Sequence, residues 1–155
     1  PTPAGYGIGV VGETDLSMLE LAAALDVNIP QTATGIRGTG DFDDVLTKVA
    51  ICAGAGDSYL QDALDSGADL YITSDLRHHP ALEIMEQAKA RGINFNLLDI
   101  PHWAAEFVWL ERAKRDLENT GLDIEICDIR TDVFNYLINL PPQDDLLGED
   151  EDEIG

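Results

Sequence analysis

The chain has 155 residues, 45% hydrophobic and 25% charged, enough for one domain with a real core and too apolar for general disorder. Thirty acidic residues against nine basic ones give a formal net charge of −21, a field that repels phosphate backbones and anionic membranes and argues against direct nucleic-acid binding. No apolar run reaches the roughly 20 residues of a bilayer span and no signal-like segment opens the chain, so a soluble, cytoplasmic protein with no membrane partner is expected.

In chain order, "PTPAGYG" reads as loop, and "IGVVGE" (8–13) as a short strand. A helical pattern follows over Leu16 to Leu25, with Met18, Leu19, Leu21, Ala22 and Leu25 on one face and Asp15 as its cap. "TATGIRGTG" (32–40) is a weak strand. "TKVAICAG" (47–54) is a continuous apolar run of the kind buried in parallel sheets. A glycine turn and a short helix come next, with Asp57 or Ser58 as cap and Gly67 as stop.

The unit then repeats as strand "DLYITS" (69–74), helix 79–92 with Pro80 in its first turn, strand "INFNLLDI" (93–100) and a helix from Trp103 to about Asn119. This alternation predicts an α/β fold with a mainly parallel sheet and helices packed on it in three layers. A last strand is expected over 122–129, with Leu122, Ile124 and Ile126 on one face, and "TDVFNYLINL" (131–140) closes the α/β domain of residues 1–140. Residues 141–155 carry seven acids and no base, read as a disordered acidic tail, which leaves −14 on the rest. Cys52 and Cys127 lie in apolar runs without metal-like spacing, as buried reduced thiols would.

Chemistry concentrates where strands end. If the strand 93–100 stops near Ile100, Asp99 and the next loop lie at the carboxyl edge of the sheet, where α/β folds place ligands. His102 and Glu106 then share a helix face one turn apart, and such a pair can hold a divalent cation. Spacing alone favours a capping histidine beside a solvated glutamate over a ligand pair. Asp75, Arg77, His78 and His79 follow the preceding strand onto the same edge, with His79 open to either a capping or a ligand role. "CAGAGDSYL" could cradle an anion, though tight strand-to-helix turning explains it more economically. No G-x-S-x-G elbow is present, and no nucleophile pair suggests itself.

Taken together, Val49 to Gly56, the "ADLYITSD" strand of Ala68 to Asp75, and Asp99, His102 and Glu106 in "DIPHWAAE" closely resemble the carboxyl-terminal half of the Nif-three-like dinuclear-metal-centre family, whose members are labelled GTP cyclohydrolase I type 2 homologues. "GYGIGVVGE" is similar to a mid-chain family segment with Val10 in place of arginine, and "IEICDIRTDVFNYL" to the closing one with Val133 in place of proline. The resemblance covers roughly residues 5–138. It implies that the chain is the carboxyl-terminal part of a larger, two-lobed α/β protein.

It further implies that His102 and Glu106 are metal ligands to two divalent ions, zinc, iron or manganese, whose other ligands, a histidine pair and a further histidine or acid, lie outside this chain. Asp99 would orient His102 by accepting from its other ring nitrogen. His79 and Asp75 would face substrate or support the ligands. Two functions follow: a metal-dependent hydrolase or cyclohydrolase with half its site in this chain, or a non-catalytic metal-binding scaffold in a homo-oligomer, a hexameric ring by resemblance.

Overall fold

The computed structural model describes residues 7–138, so the expected acidic tail at 141–155 and the end of the closing segment lie outside the described residues. Its backbone organises around three strands, β3 (Lys48–Ala55), β4 (Leu70–Ser74) and β5 (Asn96–Asp99), which lie side by side and parallel. Every residue of β4 and β5 is buried. Strands covered on both faces carry apolar side chains on both, and the "LYI" and "LL" runs supply them.

Two short strands flank this core, β1 (Val10–Glu13) and β2 (Arg37–Gly38), giving the order β1-β3-β4-β5-β2. Both edges pair antiparallel, β1 with β3 and β2 with β5. The sheet is therefore mixed, which corrects the expectation of a mainly parallel one. The alternation of strands and helices accounts for the centre, where each crossover returns the chain in the same sense. Nothing in the local pattern of 8–13 or 32–40 specifies which strand will be the neighbour or its direction.

The helices cover both faces of the sheet. On one, α1 (Met18–Asn28) and α4 (His102–Phe107) accompany a core of Met18, Leu46, Val49, Leu70, Ile72, Leu98 and Ile100. On the other, α2 (Leu60–Asp65) and α3 (His78–Ala90) pack on Cys52, Tyr71, Phe95 and Leu97 through Leu60, Leu64, Ile84 and Ala88. The cap of α1 is Ser17, not Asp15. The Glu20 amide donates to Ser17 Oγ at 3.2 Å and the Ser17 amide to Glu20 Oε2 at 2.8 Å, a reciprocal capping box.

Other expectations also need correction. The helix predicted from 103 to 119 breaks at Val108 into α4 and α5 (Trp109–Leu117). A short 3-10 turn, Asp57–Tyr59, leads into α2 with no side-chain cap, and α3 starts at His78 behind Arg77, so His79 does not cap it. Residues 122–129 form no strand: the period-2 pattern is present, but a strand needs a ladder partner, and among the described residues this segment has none. Leu122 and Ile129 stay exposed, and so does Cys127, while Cys52 is buried as expected.

One carboxylate ties the start of β3 to the start of β4. Asp69 Oδ2 accepts from the Thr47 amide (2.5 Å), the Thr47 hydroxyl (2.6 Å) and the Lys48 amide (2.8 Å). Partial burial pushes the Asp69 pKa up, but the bonds from Thr47 and Lys48 outweigh it and hold the group below its ordinary value. The stability this supplies is complete above the unfolded-state pKa and is lost as pH falls through the folded one. Asp69→Ala is expected to lower unfolding stability by about 2 kcal/mol at neutral pH. Urea titrations should show that difference shrinking below roughly pH 4; a pH-independent difference would contradict this account.

Candidate metal centre

Because β3, β4 and β5 run parallel, their carboxyl ends fall on one edge, and the chain delivers a different polar group from each. At the end of β3 the register shifts between Ile51 and Ala55, and Gly54 sits in that irregularity with φ +78°. After β4 comes Asp75, a non-glycine residue at φ +57°. After β5, Pro101 leads into α4, whose first residue is His102.

These groups meet. His102 Nδ1 donates to Asp75 Oδ2 at 2.6 Å, and His102 Nε2 lies 3.0 Å from Glu106 Oε1 one turn along α4. A Cβ on Gly54 would stand 3.4 Å from Glu106 Oε1 and 3.5 Å from His102 Nε2, so the backbone of β3 passes directly beside the paired donor atoms. The glycine at 54 leaves that side of the pair open. The nearby Gly56 has a packing role instead: a Cβ there would collide with the Thr73 and Tyr71 hydroxyls, and the Gly54 and Gly56 carbonyls accept from those two hydroxyls. The glycine-rich turn therefore serves close packing of β3 on β4.

His102 is about one-third exposed and both carboxylates are more than half exposed. The Asp75 carboxylate raises the pKa of His102 above the usual imidazole value; partial burial opposes this, and Glu106 adds to the rise. With a carboxylate accepting at each ring nitrogen, the imidazolium form is the one stabilised. That stabilisation is complete below the unfolded-state pKa of about 6.5 and is lost as pH rises through the higher folded value.

Asp99 has a different place from the one expected. Across the β2–β5 pairing it faces Arg37, whose Nε donates to Asp99 Oδ2 at 3.0 Å and whose Nη2 bonds the same oxygen. Its other oxygen accepts from the Leu76 amide at 3.3 Å. Asp75 thus supplies the carboxylate at Nδ1, and Asp99 braces the turn that carries Asp75. His79 is exposed in the first turn of α3, edge-on to His78 with centroids 5.4 Å apart, and among the described residues it has no hydrogen bond or ion pair to His102, Asp75 or Glu106. Arg77 pairs with Asp57.

The fit of this pair to a divalent cation rests on its donor chemistry. One imidazole nitrogen and one carboxylate oxygen suit zinc and its neighbours. Two donors each about 2.1 Å from one ion lie roughly 3.0–3.4 Å apart across octahedral or tetrahedral angles, and the observed 3.0 Å falls in that range. The ring is also oriented from its far nitrogen, as metal-bound histidines usually are. Among the described residues, however, no group of three or more histidine, cysteine, aspartate or glutamate side chains converges to hold a metal. The chain offers two donors and their support.

The sequence reading overlooked a cleft of about 600 Å³ beside this cluster. It is shared by Arg37, Asp75, His102, Trp103, Asp132 and Phe134. Only the family-like "TDVF" stretch hinted that residues 131–134 would return to the site.

Residues 2–133 match the sequence model of the Duf34/NIF3 (NGG1p interacting factor 3) family. The chain is 40% identical over 140 residues to a Mycobacterium leprae protein named GTP cyclohydrolase 1 type 2 homolog, covering 87% of this chain and 35% of that protein. A Staphylococcus aureus protein of the same name is 33% identical over 138 residues, 36% of its length. The chain thus spans about a third of the length of these relatives. Among solved structures it is similar to a Staphylococcus aureus hypothetical protein (TM-score 0.68, 34% identity, 85% of this chain and 44% of that one). It is also similar to a Bacillus cereus protein related to NIF3 (TM-score 0.62, 26% identity, 84% and 36%).

Replacing Asp75 by Asn is expected to bring the His102 pKa down towards the ordinary imidazole value, and Glu106→Gln to do so less. Histidine side-chain NMR titrations read both shifts directly. An unchanged His102 pKa in Asp75→Asn would remove Asp75 from its assigned place at Nδ1.

Proposed function

The chain belongs to the Duf34/NIF3 family, and from that premise we propose that His102 and Glu106 are its contribution to a centre of two divalent cations. Zinc, iron or manganese suits this donor set, and the remaining ligands come from outside this chain. The observation that carries the reading is the convergence of His102 Nε2 and Glu106 Oε1 to 3.0 Å beside Gly54, with Asp75 fixing the ring from behind. A carboxylate has two oxygens, so Glu106 is the residue suited to lie between two ions while the imidazole serves one.

Divalent cations held there supply Lewis acidity, lowering the pKa of water and polarising a substrate oxygen. That chemistry suits hydrolytic ring opening of the kind named in the relatives, or cleavage of a phosphate ester. The residues of this chain do three things. Asp75 keeps the proton on Nδ1, which presents Nε2 as the donor nitrogen. Glu106 supplies the anionic oxygen beside His102 Nε2 and Gly54 that would take up positive charge. Asp99, held by Arg37, fixes the Leu76 amide and so the turn bearing Asp75.

A second reading, a non-catalytic metal-binding scaffold assembled as a homo-oligomeric ring, draws on the apolar surface. Leu122, Ile129, Val133, Tyr136, Leu137 and Ile138 are all exposed along a segment without a strand partner. Surface of that kind is usually covered by another protein surface.

Both readings require the metal, so metal affinity is the first test. In the full-length protein, Glu106→Ala and His102→Ala are each expected to abolish tight zinc or manganese binding by calorimetry, and Asp75→Asn to weaken it roughly 10- to 100-fold. Affinity should rise with pH as His102 loses its Nε2 proton, with the rise displaced upward from about pH 6.5 because the His102 pKa is raised. Wild-type affinity in Glu106→Ala would overturn the assignment. Turnover of nucleotides and phosphoesters above a metal-stripped control then separates the enzyme from the scaffold.

A further inference from the structure

Three of the nine basic residues of the chain, Arg112, Lys114 and Arg115, stand within α5, against Glu111 and Asp116 in the same helix. Three basic residues and two acidic ones leave a surplus of one positive charge there, although the chain as a whole carries −21. Arg112 is paired with Asp116 at 2.9 Å and Arg115 Nε donates to the Glu111 carbonyl, while Lys114 and Arg115 form no ion pair among the described residues.

An apolar groove opens beside this helix. It has a volume of about 540 Å³ and is walled by Ala53, Trp103, Phe107, Trp109 and Leu110, with Glu106 as its charged member. The Trp103 and Phe107 rings pack on each other with centroids 5.2 Å apart, and Trp109 is 64% exposed. Leu110 and Lys114 are one helical turn apart, so basic side chains border the apolar wall. Exposed apolar surface of this kind marks a contact site, and the charge beside it selects an acidic partner.

The chain contains a segment of that chemistry. Residues 143–155, outside the described residues, read "QDDLLGEDEDEIG": Leu146 and Leu147 with Asp144 and Asp145 before them, five further acids after them and no base. It is also within reach. Leu137 and Trp103 line one cleft, and Trp103 lines the groove as well. Leu146 is nine residues beyond Leu137, an extended span of up to roughly 30 Å.

We propose that residues 143–154 dock on this face of their own chain, with Leu146 and Leu147 entering the groove between Trp103, Trp109 and Leu110 and the flanking carboxylates facing Lys114 and Arg115. Glu106 repels carboxylates, so the apolar pair and not the acids takes the groove. A tether of this length gives an effective concentration of order 1 mM, which sustains a contact that would be weak between separate molecules. The inference stands apart from the metal-centre reading, and its test is run on metal-free protein.

Trp103 and Trp109 are the two tryptophans of the chain, so tryptophan emission reports the groove itself. In excess chelator, the full chain carrying Leu146→Ser and Leu147→Ser is expected to emit at longer wavelength than wild type, because water replaces the leucines. Lys114→Glu with Arg115→Glu should shift the emission the same way. A wild-type peptide of residues 143–154 should restore the shorter wavelength to the serine variant, with half-saturation below about 1 mM. Raising salt from about 0.05 to 0.3 M should weaken that binding several-fold, and serines at both leucine positions of the peptide should weaken it by about tenfold or more. Wild-type emission in either variant, no binding of the peptide, or binding indifferent to salt or to the leucines would each overturn the proposal. Wild-type emission should also be independent of protein concentration; a shift on dilution would assign the groove to the segment of a second copy and overturn docking within one chain.

Discussion

The structure depends on burying β4 and β5 on both faces between hydrogen-bonded neighbouring strands. A strand with no solvent face must find hydrogen bonds on both sides along its length, and β4 does so only by lying between β3 and β5 in parallel register. That requirement has a functional consequence. Parallel neighbours end on the same side, so Gly54, Asp75 and the Pro101–His102 entry into α4 come together at one edge although they are separated by more than twenty residues each. A sheet with the same strands in alternating directions would put Asp75 on the opposite edge from the other two.

The second link in the chain of causes is the Asp75–His102 bond. Asp75 adopts a left-handed backbone, a conformation that costs of order 1 kcal/mol for a residue with a Cβ. The cost is held in place by Asp99, which fixes the Leu76 amide and is itself fixed by Arg37 from an edge strand of only two residues. One of the two short antiparallel edges that make the sheet mixed, β2, therefore also holds the base of the site. Fold and site share the same residues, and the route from Arg37 to His102 passes through the Asp99 side chain, the Leu76 amide and the Asp75 side chain in turn.

Charge shapes what such a site can do. Of the acids behind the overall −21, Asp75, Asp99, Glu106 and Asp132 lie in one region, where Arg37 and Arg130 pair with Asp99 and Asp132. A field of that sign concentrates cations and opposes polyphosphates. It suits the divalent ions proposed for this edge.

Much was legible in the sequence because it is local. The apolar runs at 47–54, 69–74 and 93–100, the glycines Gly67 and Gly92 that follow α2 and α3, and the i, i+4 spacing of His102 and Glu106 depend on near neighbours, and so did the placement of these residues at a carboxyl edge. Family membership was legible too, from the ordered set of segments around those residues. What the sequence did not show is non-local. The direction of β1 and β2, the absence of a strand at 122–129 and the return of Asp132 to the cleft are set by which segments touch. The exchange of Asp99 for Asp75 at His102 Nδ1 is the clearest instance: both are acids at strand ends on the same edge, with the same reach. The family resemblance implied a carboxylate at that nitrogen, and only tertiary structure decided which, because Arg37 across the β2–β5 pairing engages the other.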